Sequence, residues 1–435
     1  MRLLPADLPE RAALSLEVHA RPSEPLAAPG RASYVAVLVD ADERERELAH
    51  LARLCRAHGL PAPVAEAVHW SGRIGGVRLK WERHGEFSSY TLMAVQTAAH
   101  DAPAFADPPA AQLPSGWLAG VPGMTVYAGH AELLQAEDAP SLPDLQQDFF
   151  AGHPVVGSAV GDGAGLAYSD FLIHADGFGR ILLVDQGFTP LMAGRMLQRL
   201  FEIEAYRMMA LLAFPVARRL SPRILAIERA LASLTDSIAA DSARDGSRDE
   251  TLLQELMRLA TEVESGLSAS QFRFGACRAY ADLVRTRIAE LRERRLSGLQ
   301  TLDEFMSRRF TPAVATCATV SQRLHDLSER VAQASHLLST RVDIAREHQN
   351  HALLASMDRR AKLQLRLQQT VEGLSIAAIV YYMAGVVGYV VKGGRSLGLP
   401  LNVDLFVGLS VPVLAVLAYS AVHRARRHAS EHEAT

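Results

Sequence analysis

The sequence predicts an α/β cytoplasmic head, a long and partly coiled-coil α-helical stalk, and a carboxyl-terminal transmembrane hairpin of two helical spans. Three observations carry this. Strand-like alternation and hairpin turns are confined to residues 1–188, helical patterning holds from Thr189 onward, and two long apolar runs stand together near the carboxyl end. The implied division is a head at 1–188, a stalk at 189–372, a membrane hairpin at 373–422 and a basic cytoplasmic tail at 423–435. A length of 435 residues agrees with that count, at roughly 150 residues per domain.

In the head, Tyr34 to Val39 is a short apolar strand, and Asp42 to His58 carries helical periodicity through Leu48, Leu51 and Leu54 before Gly59 and Pro61 close it. Val77, Leu79 and Trp81 alternate with Arg78, Lys80 and Glu82. Arg83 to Glu86 then turns the chain into Phe87 to Val95, which makes a hairpin. Met124 to Ala128 is a third strand, after a Pro- and Ala-rich loop at 98–123. A further hairpin runs from Leu166 to His174, through the Asp176-Gly177 turn, to Arg180 to Asp185.

In the stalk, Thr189-Pro190, Ser221-Pro222 and Thr311-Pro312 each read as a hydroxyl N-cap followed by proline at the first helical position. Ala313 to Glu372 contains neither Gly nor Pro, and as one helix it would be about 90 Å long. Leu324, Leu327, Val331, Ala334 and Leu338 step by 3, 4, 3 and 4, a coiled-coil seam of two heptads. The same register then places Arg341, Ala345 and His348 in the seam, so the rod is not uniform.

The apolar runs are 374–391, without a charge, and 403–422, with Asp404 at its edge. At a rise of about 1.5 Å per residue each can cross a hydrocarbon layer of about 30 Å. Residues 392–402 between them are glycine-rich, which favours a hairpin. Arg359, Arg360, Lys362 and Arg366 precede the first run and Arg424, Arg426 and Arg427 follow the second, against Lys392 and Arg395 between them. This bias places both termini in the cytoplasm. Ala384 and Gly388 form a small-x-x-x-small face, and Pro412 is expected to kink the second span. The first 16 residues hold no apolar core, so no secretory signal is expected.

A net charge of −3 excludes a generally basic nucleic-acid binder, and 21% charged residues do not make a disordered chain. Only three lysines occur, a compositional bias without functional content. Cys55, Cys277 and Cys317 lack zinc or redox spacing, which fits a reducing compartment.

Candidate sites are few. Asp343, Glu347 and His351 share one helix face with His348 nearby, a donor set for a divalent ion on what is otherwise a solvated face. Glu17, His19 and Arg21 alternate in an irregular segment, and Glu82, Arg83 and His84 sit at a hairpin turn. These are expected to be ion-paired and to staple the amino-terminal arm onto the sheet. His174 and Asp176 flank the other hairpin turn, where turn chemistry explains the aspartate. The glycine-rich stretch Gly157 to Gly165 lacks a following Lys-Ser/Thr and reads as a flexible inter-strand loop rather than a phosphate loop. Val387-Gly388-Tyr389 echoes a potassium filter but lies within a helical run. No catalytic set and no cofactor site is read.

EVHARP at Glu17 to Pro22, WERHGEFSSYT at Trp81 to Thr91, the run Asp170 to Gly194, and SMDRRAKLQLRLQQTVEGLS at Ser356 to Ser375 resemble a bacterial family of membrane-anchored proteins classed as a domain of unknown function. The resemblance spans the chain and singles out Glu17, His19, Arg21, Trp81, Glu82, Arg83 and His84. It implies a bacterial inner-membrane location and no activity. The overall plan is also similar to that of CorA-type metal-ion transporters, but their Gly-Met-Asn signature is absent: the corresponding stretch reads Gly388-Tyr389-Val390-Val391-Lys392-Gly393. The expected function is that of a non-catalytic, membrane-anchored interaction or sensing protein. Its expected partners are the lipid bilayer, further copies of itself, and a protein or a divalent ion. A CorA-like homo-oligomeric channel is the alternative.

Overall fold

The computed structural model describes residues 7–17, 23–95, 103–240, 246–396 and 402–432. After the short helix α1 (Arg11–Glu17) the head is built from β1 (Gly30–Leu38), α2 (Arg44–Ala57), β2 (His69–Ile74), β3 (Val77–Arg83), β4 (Phe87–Val95), β5 (Met124–Gln135), β6 (Val156–Val160), β7 (Gly165–Ser169) and β8 (Gly179–Asp185). Between β5 and β6, the single turn α3 (Leu142–Asp144) leads into a π turn at Leu145–Phe149. A two-residue strand, β9 (Arg294–Arg295), returns from the helical part of the chain and completes one sheet in the order β2-β3-β4-β1-β5-β8-β7-β6-β9. Every pairing is antiparallel except that of β5 with β8.

Strand alternation decides what each face meets. Val35 and Val37 of β1 pack with Leu51, Leu54 and Cys55 of α2, and Leu79, Trp81 and Leu92 from the neighbouring strands join that core. Tyr34 points the other way and stacks on Phe201 at a centroid distance of 5.0 Å. Phe201 belongs to α4 (Pro190–Leu211), which Thr189 caps by accepting the Met192 N–H at 3.3 Å. Each of these fully buried large side chains contributes about 1.5–3 kcal/mol through removal from water.

Two expectations are corrected. The glycine-rich segment is not all loop, since Val156–Val160 is β6. Gly157 lies flat against Tyr168 of β7, where an added Cβ would come within 2.4 Å of the ring, so close packing explains that glycine. The turn itself is confined to Gly161–Gly163, with Asp162 at φ 62°. Ser221-Pro222 starts no helix, because α5 (Ala213–Ala240) runs through Pro222. Ala213, Ala217, Leu220, Ile224, Ile227 and Leu231 are buried on one stripe that continues past the proline, and that packing outweighs the lost backbone hydrogen bond.

The remaining helices are α6 (Gly246–Leu291), α7 (Leu302–Arg309, with a Thr301/Glu304 capping box), α8 (Thr311–Ser396) and α9 (Val403–His432). Leu324, Leu327 and Val331 of α8 are buried inside the chain: Leu324 lies with Leu220 of α5 beside Gly266 of α6, and Arg323 pairs with Glu228 at 2.7 Å. The heptad residues at this level are thus taken up by intrachain packing. Two compact units result, Met1–Ala243 with Thr251–Ser335, and Arg244–Glu250 with His336–Thr435. In the second, Arg341 pairs with Asp249 and Arg346 with Glu250. Farther along, α8 and α9 each hold a stretch long and apolar enough to cross a membrane, and these stretches are 6% and 0% buried.

Candidate functional site

The polypeptide leaves the sheet after Ser169, and the loop at 170–178 holds together two polar centres. The expected strand to His174 stops early because Phe171 takes a left-handed φ of 56°, Ser169 Oγ accepts the Phe171 N–H, and Asp170 Oδ1 accepts the Leu172 N–H at 3.2 Å. Phe171 stacks on Phe305 of α7 at 4.3 Å. The loop closes on itself where the His174 N–H donates to the Phe178 carbonyl and the Gly177 N–H donates to the His174 carbonyl, with Asp176-Gly177 at the turn as expected.

In the first centre the Asp170 side chain is fully buried, and its Oδ2 lies 2.9 Å from both His153 Nδ1 and His174 Nε2. The three donor atoms lie within 4.8 Å of one another. His153 arrives from the opposite side, behind Ala151 (φ 53°) and Gly152 (φ 80°), two left-handed residues that reverse the backbone. Its side chain is 40% exposed, so the centre opens to solvent.

The second centre lies on β1, β5 and β8. His130 pairs in register with Ser33 on one side and Arg180 on the other. Its Nδ1 is 2.9 Å from Ser33 Oγ, which already accepts the Ala110 N–H at 3.1 Å. Donation of the hydroxyl proton to Nδ1 would place the ring proton on Nε2. That nitrogen is 4.0 Å from Asp176 Oδ2, on an open cleft of about 740 Å³ lined by Phe105, Leu113, Trp117 and Phe178. Phe178 stacks on His130 at 3.9 Å. Burial, helped by the Arg180 charge and opposed by Asp176, lowers the His130 pKa to about 4. Glu132, two residues on, is shifted upward by burial against the pull of the Phe105 N–H, Arg31 and Arg180.

Ser33, His130 and Asp176 are the residue types of a nucleophilic triad without its chemistry. Ser33 is fully buried, its oxygen is occupied by a backbone N–H, and an imidazole titrating near 4 is a weak base at neutral pH.

The other sequence candidates stand apart from this loop. Trp81 is buried and donates Nε1–H to Glu47 Oε1 at 2.9 Å, as does the Tyr90 hydroxyl. Glu82 is buried against Lys80 at 2.9 Å, the Arg83 guanidinium lies over the Trp81 ring, and His84 stacks on Phe87. Glu17 ends α1, while His19 and Arg21 lie outside the described residues. A staple of the amino-terminal arm forms at Glu24, which pairs with Arg78 and accepts from Ser71 Oγ at 2.7 Å. Asp343, Glu347, His348 and His351 are exposed on α8, with His351 Nε2 3.8 Å from Glu347 Oε1. All three cysteines are free and buried, and Cys277 meets Cys317 across α6 and α8, a contact that raises the Cys317 thiol.

Set beside known families, residues 6–429 match the family described as protein of unknown function (DUF3422). The chain belongs to DUF3422. The resemblance carried by the EVHARP, WERH and SMDRR segments is borne out as membership of a family of unknown function, and the match does not bear on the CorA-type plan. No curated protein matches the chain. In this DUF3422 protein the run from Asp170 forms the loop that joins the two centres, whereas WERH serves the sheet core. His153 and His130 escaped sequence reasoning. A signal for the second was present, since His130 and Glu132 put two polar groups on the strand face that otherwise carries Met124, Val126, Ala128 and Leu134.

Proposed function

We propose that this DUF3422 protein is a non-catalytic, membrane-anchored interaction or sensing protein. Its folded head would be held at the cytoplasmic face of a bacterial inner membrane by a two-span hairpin with both termini inside. The observation that carries this reading is the pair of helical stretches, apolar on every face, that are 6% and 0% buried while the sheet domain has a complete core. Seven basic residues flank the pair on its outer ends and two lie between, which supports the orientation. Gly388 of α8 sits beside Val407 of α9, a close approach that favours a packed hairpin. A reporter fused after Thr435 should read as cytoplasmic, and a periplasmic reading would refute the hairpin.

Because Leu324, Leu327 and Val331 are used within the chain, self-association falls to the spans. Cysteine cross-linking at Tyr389, 78% exposed, should give oligomers in membranes, and monomer alone would overturn the assembly. One observation favours a second reading, a CorA-like channel or transporter: α8 is unbroken from Thr311 to Ser396, from the helical bundle into the first apolar stretch. Cation flux through the purified chain in liposomes would replace the interaction reading with that one.

A further inference from the structure

We propose that His153, Asp170 and His174 bind one divalent transition-metal ion of the zinc class through His153 Nδ1, Asp170 Oδ2 and His174 Nε2, with at least one position left open to water or an incoming ligand. Three features carry this. The donors converge: both imidazole nitrogens lie 2.9 Å from the same carboxylate oxygen. At metal–ligand bonds of about 2.1 Å an O···N edge of that length subtends roughly a right angle at the ion, the angle of a five- or six-coordinate site, and the two nitrogens, which lie within 4.8 Å of each other, share the ion once they are within about 4.2 Å. Opening the edges to about 3.4 Å would make the site tetrahedral, and half-exposed His153 has room to move that far.

The second feature is charge. The Asp170 side chain is fully buried, and among the described residues its ion-pair partners are these two imidazoles, with no arginine or lysine. With imidazoles and no guanidinium or ammonium group against it, the buried carboxylate has a place that a divalent ion can fill. The rings then carry their protons on the nitrogens facing away. The third feature is support. Leu172 N–H fixes Asp170 Oδ1, and the His174 N–H bond to the Phe178 carbonyl holds the loop, so the ligands are oriented before an ion arrives. Two nitrogens and one oxygen suit zinc, iron, cobalt or nickel rather than magnesium or calcium, which require a shell of oxygens.

The full chain, purified in detergent and stripped with chelator, is titrated with Zn²⁺ by calorimetry and with Co²⁺ by visible absorption. The expected result is one ion per chain. His153→Ala and His174→Ala should each weaken binding at least about 10- to 100-fold, the loss known for residues that merely orient a ligand. The paired exposed substitutions Glu347→Gln and His351→Ala on α8 should leave binding unchanged. Absence of stoichiometric binding by the wild-type chain would overturn the proposal, as would undiminished binding in both histidine variants or a loss seen only with the α8 variants. If His174→Ala disturbs the fold by circular dichroism, His153→Ala, at the solvent side, decides the matter. The readout is independent of the topology reporter, so the site and the membrane anchor stand or fall separately.

Discussion

Two apolar stretches of this chain meet opposite fates. Tyr34 to Val39 is sandwiched between α2 and α4, and Tyr34, Val35, Ala36, Val37 and Val39 are all under a tenth exposed. Leu374 to Val391 is as apolar, yet Leu374, Tyr381, Tyr382 and Tyr389 are each more than 70% exposed. The difference lies in neighbours. A strand in mid-sheet has two partners and two covered faces, whereas this helical stretch satisfies its own backbone and, unlike α4, leaves most of its side chains uncovered among the described residues. Hydrophobicity alone does not decide whether an apolar stretch is buried within the chain; what packs against it does.

The sharpest way to break that comparison is truncation on each side. Trp81→Ala should destabilise the head by about 3–5 kcal/mol in urea unfolding, since it opens a cavity and strips Glu47 of a donor. An effect below 1 kcal/mol would mean that the sheet core is not where the head's stability resides. Val386→Arg, at a site 54% exposed, should cost about 2.5–3.5 kcal/mol of membrane insertion and shift the chain toward the soluble fraction. If that side chain faces water instead, membrane retention will not change.

Acid should probe the head alone. The folded pKa of His130 is about 4 against an ordinary 6.5, so the unfolded chain binds the proton more readily between those values. Stability from this group is fully present above pH 6.5 and is lost as pH falls toward 4, by about 2 kcal/mol at pH 5. Urea midpoints at pH 7 and 5 should therefore converge in His130→Gln, and the difference between the two chains removes the opposing contribution of Glu132. The smallest effect belongs to a helix start: Thr189→Ala should cost about 1 kcal/mol through loss of the bond from the Met192 N–H.

Where the sequence was legible, local patterning was enough. Strands β1, β3, β4, β7 and β8, helix α2 and the Thr189 cap all follow from alternation, periodicity and turn residues. Strand β2 was missed because Trp70 and Ile74 are its only buried residues, at a sheet edge. Strand β6 was hidden by Gly157, whose role depends on Tyr168 across the pairing. The candidate site was less legible still. Asp170 and His174 are close in sequence, but His153 reaches them only because two left-handed residues turn the chain back. His130 meets Ser33 through strand register, which no local pattern encodes.

The stitching of the sheet also bears on how the head comes to be folded. Gly30 must find Leu133, and Ser158 must find Arg295, before the ladders they start repay the closed loops between them. Such non-local pairings make a slow folder, and its unpaired edges stay open to other chains while it waits. The apolar helices need no such search, since every hydrogen bond within them spans a single turn. The carboxyl-terminal segment can therefore reach its structure while the head is still assembling.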